Sequence, residues 1–505
     1  MNELWGKKVL IFQQRRWGVK IGHFLAKKLQ AEGCRLSAFT YKKSTHKFIT
    51  EQTEVKYEHI VNIDAIYEDP AKILNDESIS LKEICQQLNI DSVWPILSSN
   101  RKLVKSYKEK FYYSYRQNVS DEFIVLYTKA NYKVMRDLLI KFKPDIIITA
   151  NIAYDGHIVL SLLADKYKIP LISITDVKVR GYAIFFDDYK IDRSDFHDLV
   201  DGLNNAIAVT PSRDKAQKYI QEFRESFKKP KEAFKHVEKV TFKQKIRHEL
   251  SPYYRILRWY LKGHSINSIK TIDPSIDYRP PKIMLRDHYC YKKYRRFMDS
   301  FNYYPFDKVE QFVYYPLQSQ PEATTDLSAP YFSNQIETAR LIAMSLPDDY
   351  TLVVKDHPVM KGLRTPSYLE KVARTPNVKL IDYRISSEKI FKKADLIISL
   401  PNSTSLAEAA FYCKPAIQLG GSGITLKLPN VYQHSDMTTL SQKIKEVLKI
   451  DLRNEDYERR LENYVAAAYD LGFEFDYWGV WERNEQDDMG LFWRVWKKEL
   501  EKKIT

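Results

Sequence analysis

The sequence predicts an α/β protein built on two parallel sheets, each covered by helices on both faces. Three observations carry that expectation. Short apolar runs, bounded by Pro, Gly or Asp, alternate with stretches of helical period, which is the pattern of buried parallel strands and their crossovers. The chain has 505 residues, more than one hydrophobic core fills. The rhythm also breaks once, where a basic aromatic stretch separates its two halves. The boundaries read as a first domain over 1–226, a basic linker or insertion over 227–300, a second domain over 301–450, and terminal helices over 451–505.

The first half opens on the apolar run Lys8-Val-Leu-Ile-Phe-Gln13, a first strand. It leads through Gln14-Arg-Arg-Trp-Gly18 into a helix ending near Leu29, with Gly33 closing the turn. This loop does not match GxGxxG, so no dinucleotide cofactor is expected. Arg15 and Arg16 still sit where an anionic ligand would meet helix amides, although a solvated basic loop reads equally well. From Ser80 to Phe142 the pattern is helical, without a catalytic cluster. Lys143–Ala150 and Ile169–Ile174 are then strands around a helix, with Asp155, Gly156 and His157 at its start. Asp155 is either a helix cap or a ligand contact. Asp176 and Arg180 follow the next strand, and Asp176, with no capping pattern around it, is the better candidate for a base or nucleophile. Tyr182–Phe186 and Ala206–Thr210 read as further strands, followed by a helix from Pro211 to Phe227.

Hydrophobic content of 44% excludes global disorder, and the net charge of +15 favours anionic partners. Cys34, Cys85, Cys290 and Cys413 show no metal spacing and read as buried free thiols of a reducing compartment. The amino terminus lacks the apolar run of a signal peptide, and no stretch approaches the ~20 apolar residues of a membrane span. A cytoplasmic protein, peripheral on the inner membrane face, is therefore expected. Between Phe227 and Gly263, eleven Lys or Arg face three Glu, interleaved with aromatics. The stretch is a solvated linker or a segment for anionic lipid. A nucleic-acid partner is not expected, because no binding motif accompanies the charge.

The second half repeats the strand–loop–helix pattern with more informative loops. Val309–Tyr315 runs into Pro316-Leu-Gln-Ser-Gln-Pro321; Tyr350–Lys355 stops on Asp356-His-Pro358; Asp395–Leu400 opens onto Pro401-Asn-Ser-Thr-Ser405; and Lys414–Gly421 closes with a glycine turn. Successive strand ends therefore bring Gln318, Gln320, Lys355, His357, Ser403 and Thr404 to one edge, where open α/β sheets bind ligands. The helix starting at Ser403 offers amides and a positive dipole end to a phosphate, although Ser405 with Glu408 also fits a purely structural capping box. His357 suits a leaving phosphate, Lys355 or Arg364 would add charge, and Glu408 would accept ribose hydroxyls. No DxD pair accompanies these elements, so no metal or other cofactor is expected.

The pair Gln-Pro321 and Lys355-Asp-His-Pro358, with the Ser399-Leu-Pro-Asn-Ser-Thr-Ser405…Glu408…Lys-Pro415 block, resembles the capsular-polysaccharide glycosyltransferases of the retaining β-Kdo transferase type. The likeness covers residues 300–425; the first half shares only general layout. It implies a GT-B-like fold, with two facing Rossmann-like domains and terminal helices crossing back to the first. It also implies a CMP-activated donor held mainly by the second domain, with Gln320 and His357 as donor-site residues and Ser403 and Thr404 near the phosphate. The family's carboxylate has no matched position here, and Asp176 is assigned from its place alone. The expected function is transfer of a Kdo-like sugar to a glycan or glycolipid acceptor, with Asp176 and His357 catalytic. Arg15, Arg16, Asp155 and Arg180 are then acceptor or phosphate contacts. Two other readings stay open: a UDP-sugar enzyme, either a transferase or a 2-epimerase, and a non-catalytic glycan-binding scaffold at the membrane.

Overall fold

A computed structural model of the protein describes residues 3–104, 117–227, 242–262, 280–477, 479–480 and 487–504. Parts 228–241 and 263–279 of the basic segment, with Trp478 and Trp481 near the carboxyl end, lie outside that set.

The first sheet contains β1 (Lys8–Gln14), β2 (Arg35–Tyr41), β3 (His59–Asn62), β4 (Ile146–Ile148), β5 (Leu171–Asp176) and β6 (Tyr182–Phe186), in the order β3-β2-β1-β4-β5-β6. The second contains β7 (Phe312–Pro316), β8 (Thr351–Lys355), β9 (Val378–Ile381), β10 (Leu396–Ser399), β11 (Ala416–Leu419) and β12 (Val431–His434). Its order, β9-β8-β7-β10-β11-β12, steps outward from β7 one way and restarts beside it the other way. All its pairings are parallel. Strand alternation divides each sheet between two cores: Phe312 and Tyr314 of β7 join one cluster, Val313 and Tyr315 the other.

Two expectations for the first sheet are corrected. It is not parallel throughout, because β6 runs antiparallel to β5 with Asp176 opposite Ala183. A parallel partner needs a crossover of a dozen or more residues, and the short turn Val177–Gly181 allows only the antiparallel one. Ala206–Thr210 forms no strand: Ile207 and Val209 are 85% and 93% exposed. The sheet edge it would extend is taken by β13 (Phe473–Glu474), which pairs with β6 from the far end of the chain.

That pairing belongs to a return of the chain. The helix Glu455–Leu471 buries Tyr457, Leu461, Tyr464 and Val465 in a core shared by both domains, alongside Val177, Phe196 and Phe223 of the first and Phe411 of the second. The helix Met489–Ile504 then sets Phe492, Trp496 and Leu500 against Val9 and Ile11 of β1. Lys497 pairs with Glu32 at 2.8 Å and Lys503 with Asp187 at 2.7 Å. The architecture is GT-B-like: two Rossmann-like units joined by terminal helices that end on the first. Among the described residues, no helix is long and apolar enough to cross a membrane.

Candidate functional site

In a doubly wound sheet the carboxyl ends of two neighbouring strands part at the point where strand order reverses, and the crevice there receives ligands. In the second sheet that point lies between β7 and β10, and Gln318 spans it. Its Nε2 donates to Ser399 Oγ at the end of β10 (3.1 Å), and its Oε1 accepts from Ser403 Oγ (3.4 Å). The loop holding Gln318 is fixed from behind. Gln335 accepts the Gln318 N–H at 2.6 Å and donates to its carbonyl at 3.2 Å. Gln320, followed by a cis peptide to Pro321, donates to Asp326 Oδ1 (3.2 Å) and to the Ser333 carbonyl (3.0 Å). Gln320 is thus buried, with its amide hydrogen-bonded into loop support.

The Asp356-His-Pro turn is fixed in the same way. Asp356 accepts the His357 N–H (2.8 Å) and the Arg364 Nε–H (2.7 Å), while Arg364 Nη2 donates to the Gln318 carbonyl (2.6 Å). Burial raises the Asp356 pKa and the adjacent guanidinium works against that rise. Arg364 is fully buried and stacked on Tyr368, so the charge expected of it for a phosphate is spent on tying two loops together. Lys355 is likewise turned to the Ile385 carbonyl and Ser387 Oγ, both at 3.1 Å. His357 is different. It is half-buried, and its Nδ1 accepts the Val359 N–H at 3.2 Å, capping the turn Pro358–Met360. An imidazole whose Nδ1 accepts carries its proton on Nε2 when neutral, which makes it a donor at a strand end.

On the other side of the crevice, the helix Thr404–Phe411 starts at Ser403, whose hydroxyl is used on Gln318 and makes no cap hydrogen bond. The capping box expected of Ser405 and Glu408 does not form, because Ser405 lies already inside the helix. The carboxyl edge is completed by the loop after β11. Gly423 (φ +104°) takes a left-handed conformation against Asn402, where a Cβ would meet Oδ1 at 2.6 Å, and Asn402 accepts the Ile424 N–H.

The first domain has the same device. Gln14, at the end of β1, donates to Asn151 Oδ1 (2.8 Å) beyond the end of β4, across that sheet's own reversal point. Gly22 packs so tightly below that a Cβ would lie 2.0 Å from Gln13 Oε1. The glycines after β1 therefore serve packing. Arg15, in the left-handed region at φ +46°, and Arg16 are exposed at this edge.

The two edges meet. Arg101 of the first domain pairs with Asp326 at 3.7 Å, and Leu327 packs with Ile152 and Phe186. The turn after β5 reaches furthest: Lys178 sets its charge against Glu322, and Arg180 against Glu408. Asp176 stands at the base of this turn with an exposed carboxylate, accepting the Lys178 N–H at 2.7 Å. Arg180 lies over the Phe223 and Phe227 rings (4.7 and 5.7 Å), and its main-chain N–H donates to Tyr219 OH. Its Nη1 and Nη2 are buried without a hydrogen-bond partner among the described residues. Burial pulls its pKa below the ordinary value, while Tyr219 and Glu408 hold it up. A desolvated, unbonded guanidinium at a domain interface suits an anionic group brought by a ligand.

Asp155 is neither the cap nor the contact expected of it. It is the first helical residue, fully buried, accepting from Asn100 Nδ2 (3.0 Å) and Tyr127 OH (2.8 Å). Burial raises its pKa to about 6, against these hydrogen bonds. His157 beside it, packed on Phe12 and Tyr154, is held neutral by burial, with its pKa lowered to about 3. Among the cysteines only Cys34 is buried, and all are free. Among the described residues no group of three or more His, Cys, Asp and Glu side chains converges where a metal would sit.

No family model matches the chain, and no curated protein does. Among solved structures it is similar to the KpsC β-Kdo 2,7 transferase of Thermosulfurimonas dismutans: 11% identity over 69% of this chain and 81% of that one, TM-score 0.33. It is also similar to the UDP-GlcNAc 2-epimerase of Methanocaldococcus jannaschii: 13% identity over 89% and 93%, TM-score 0.22. A third is the glycotransferase of kitacinnamycin, 11% identical over 92% and 96%, TM-score 0.24. Scores of this size leave the chain's own topology as the ground for its fold.

Proposed function

We propose that the protein is a glycosyltransferase that moves a Kdo-like sugar from a CMP-activated donor to a glycan or glycolipid acceptor of surface-polysaccharide synthesis. The observation that carries this reading is the reversal point of the second sheet. There Gln318, Ser399 and Ser403 bridge two strand ends, and His357 stands on the adjoining one.

The donor lies along this edge. Its phosphate meets the His357 Nε2–H and the amides that open the helix at Ser403 and Thr404, where the helix dipole favours negative charge. Glu408 would accept the ribose hydroxyls, and Gln318 orients the serines instead of binding from a loop of its own. Lys355, Gln320 and Arg364 act at one remove, holding the loops. The acceptor enters from the first domain, past Arg15 and Arg16, with the Arg180 guanidinium on an anionic group of either substrate.

Glycosyl transfer passes through an oxocarbenium-like state, so the enzyme must stabilise a departing phosphate and take the acceptor's proton. His357 and the helix start do the first, as donors fixed before the reaction. Asp176, exposed at the end of β5, does the second. Metal-independent transfer follows from this division, with fixed donors at the phosphate.

Thermal unfolding with nucleotides tests the donor class. CMP at about a hundred times its Kd should stabilise the protein by roughly 2.7 kcal/mol, UDP by much less, and CMP-Kdo with a glycolipid acceptor should release CMP. Stabilisation by UDP alone, with turnover of a UDP-sugar lacking acceptor, would establish the epimerase instead. No response to any nucleotide would leave only a binding scaffold.

A further inference from the structure

The helix Phe242–Lys262 lies outside both sheets and packs on the helix Pro281–Ser300, forming a hairpin. Its inner side supplies the contacts: Tyr253 OH meets Tyr289 OH at 3.2 Å, and Glu249 pairs with Lys292 and, at 3.6 Å, with His288. The second helix is seated on the second domain through the buried Met298 and through Asp299, which accepts from Tyr383 OH (2.5 Å) and pairs with Lys361 (2.6 Å). It presses so closely on the loop after His357 that a Cβ on Gly362 would lie 2.6 Å from Arg295 Cγ.

The outer side of the first helix is apolar and uncovered. Ile246, Leu250, Tyr254, Leu257 and Leu261 are all exposed, Leu250 at 59% and Leu261 at 75%, and Tyr260 flanks them. At 3.6 residues per turn these six share one arc of about 120°. Beside that arc stand Arg247 and Arg258, Arg255 lies farther round the helix, and the helix sequence adds Lys243, Lys245 and Lys262 against the single acid Glu249. An apolar stripe with tyrosines at its edges and a basic flank is the composition of a helix lying in a membrane interface. It is too polar to span the bilayer, and its apolar face has no cover among the described residues.

We propose that this hairpin docks the protein on an anionic phospholipid bilayer, with the stripe Ile246–Leu261 inserted at the headgroup boundary and the arginines on lipid phosphates. The occupant is fixed by charge complementarity: the helix is strongly basic, the whole chain carries +15, and an anionic surface attracts each basic residue within a Debye length. Since the second helix is rooted beside the His357 loop, docking holds the candidate donor site at a fixed height above the membrane. This inference stands apart from the identity of the sugar.

The test is sedimentation of the full chain with vesicles of phosphatidylcholine alone, or with phosphatidylglycerol at about three to one. Binding at least about tenfold tighter to the anionic vesicles, removed by about 0.5 M salt, is expected. Leu250→Asp with Leu257→Asp should weaken it about tenfold or more. Arg247→Ala with Arg258→Ala should weaken it about 25-fold, at about fivefold for each charge. Both double variants should keep the wild-type unfolding midpoint. Equal binding to neutral vesicles, or binding indifferent to both variants, overturns the proposal. So does a dimer that Leu250→Asp dissociates in the absence of lipid, which would make a second copy the occupant. Salt-steep oligonucleotide binding without vesicle binding overturns it equally.

Discussion

His357 carries two separable jobs, and single substitutions can divide them. Its Nδ1 caps the turn Pro358–Met360 by accepting from Val359, while Nε2–H is assigned to the donor phosphate. Alanine removes both. Loss of a cap on a half-buried turn costs about 1 kcal/mol of stability. Loss of a fixed donor to a developing anion costs about 10²–10³-fold in kcat, or roughly 3–4 kcal/mol. His357→Ala should therefore unfold slightly earlier in urea and turn over hundreds of times more slowly. The two amide variants go further, since asparagine places its oxygen near the position of Nδ1 and glutamine its NH₂ near that of Nε2. His357→Asn should regain stability without turnover, and His357→Gln should regain part of the turnover without the cap. Single-turnover rates with a CMP-sugar, read beside urea midpoints, decide the matter. If asparagine restored full turnover and glutamine none, the histidine would be a turn cap alone and the phosphate would belong elsewhere.

Three more outcomes are expected. Arg364→Met should cost about 3–5 kcal/mol in urea unfolding, because Asp356 is left charged and buried, and adding Asp356→Asn should recover part of that loss. Arg180→Met keeps the packing on Phe223 and Phe227 but removes the unbonded guanidinium. It should raise the KM of one substrate about 30–100-fold, the worth of a charge-assisted hydrogen bond, without lowering the melting temperature. Asp155→Asn should change the pH dependence of stability. A carboxyl whose pKa rises from 3.8 to about 6 on folding binds more protons when folded, so it makes stability fall as pH rises through that window, by about 3 kcal/mol. The difference between variant and wild type should therefore move in the variant's favour from pH 4 to pH 6. His157 gives a slope of the opposite sign below pH 6.5 and is common to both proteins.

The second half was far more legible than the first, for a physical reason. Its inner strands are buried on both faces, so β7, β8 and β10 read as continuous apolar runs, and the loops after them stood out by contrast. In the first half, β2 carries Ser37 and Thr40 on buried positions, which breaks the apolar run and hides the strand. Ala206–Thr210 showed the reverse error: its composition suits a strand, but the edge beside β6 is taken by β13, some 260 residues away in the chain. Burial was harder still to foresee. Nothing local distinguishes Gln318, at the crevice, from Gln320, buried behind it, or marks Gln335 as the side chain that fixes both. The unbonded guanidinium of Arg180 is likewise visible only once Phe223 and Phe227 are folded over it.

The shared design of the two edges bears on how they work together. Each reversal point is closed by a glutamine near the end of its first strand, Gln14 to Asn151 in one domain and Gln318 to Ser399 and Ser403 in the other. These bridges fix the strand ends before any ligand arrives, so neither edge has to be ordered by binding. What ligand binding can still change is the contact between the edges. The contacts there mix charge with one apolar patch: Arg101 with Asp326 at 3.7 Å, Lys178 facing Glu322, Arg180 facing Glu408, and Leu327 packed with Ile152 and Phe186. The apolar core around Tyr464 and Phe411 holds the domains together further back. Asp176 and Arg180 belong to one turn after β5, so in the proposed mechanism an anion bonded to Arg180 would sit on the same segment as the candidate base.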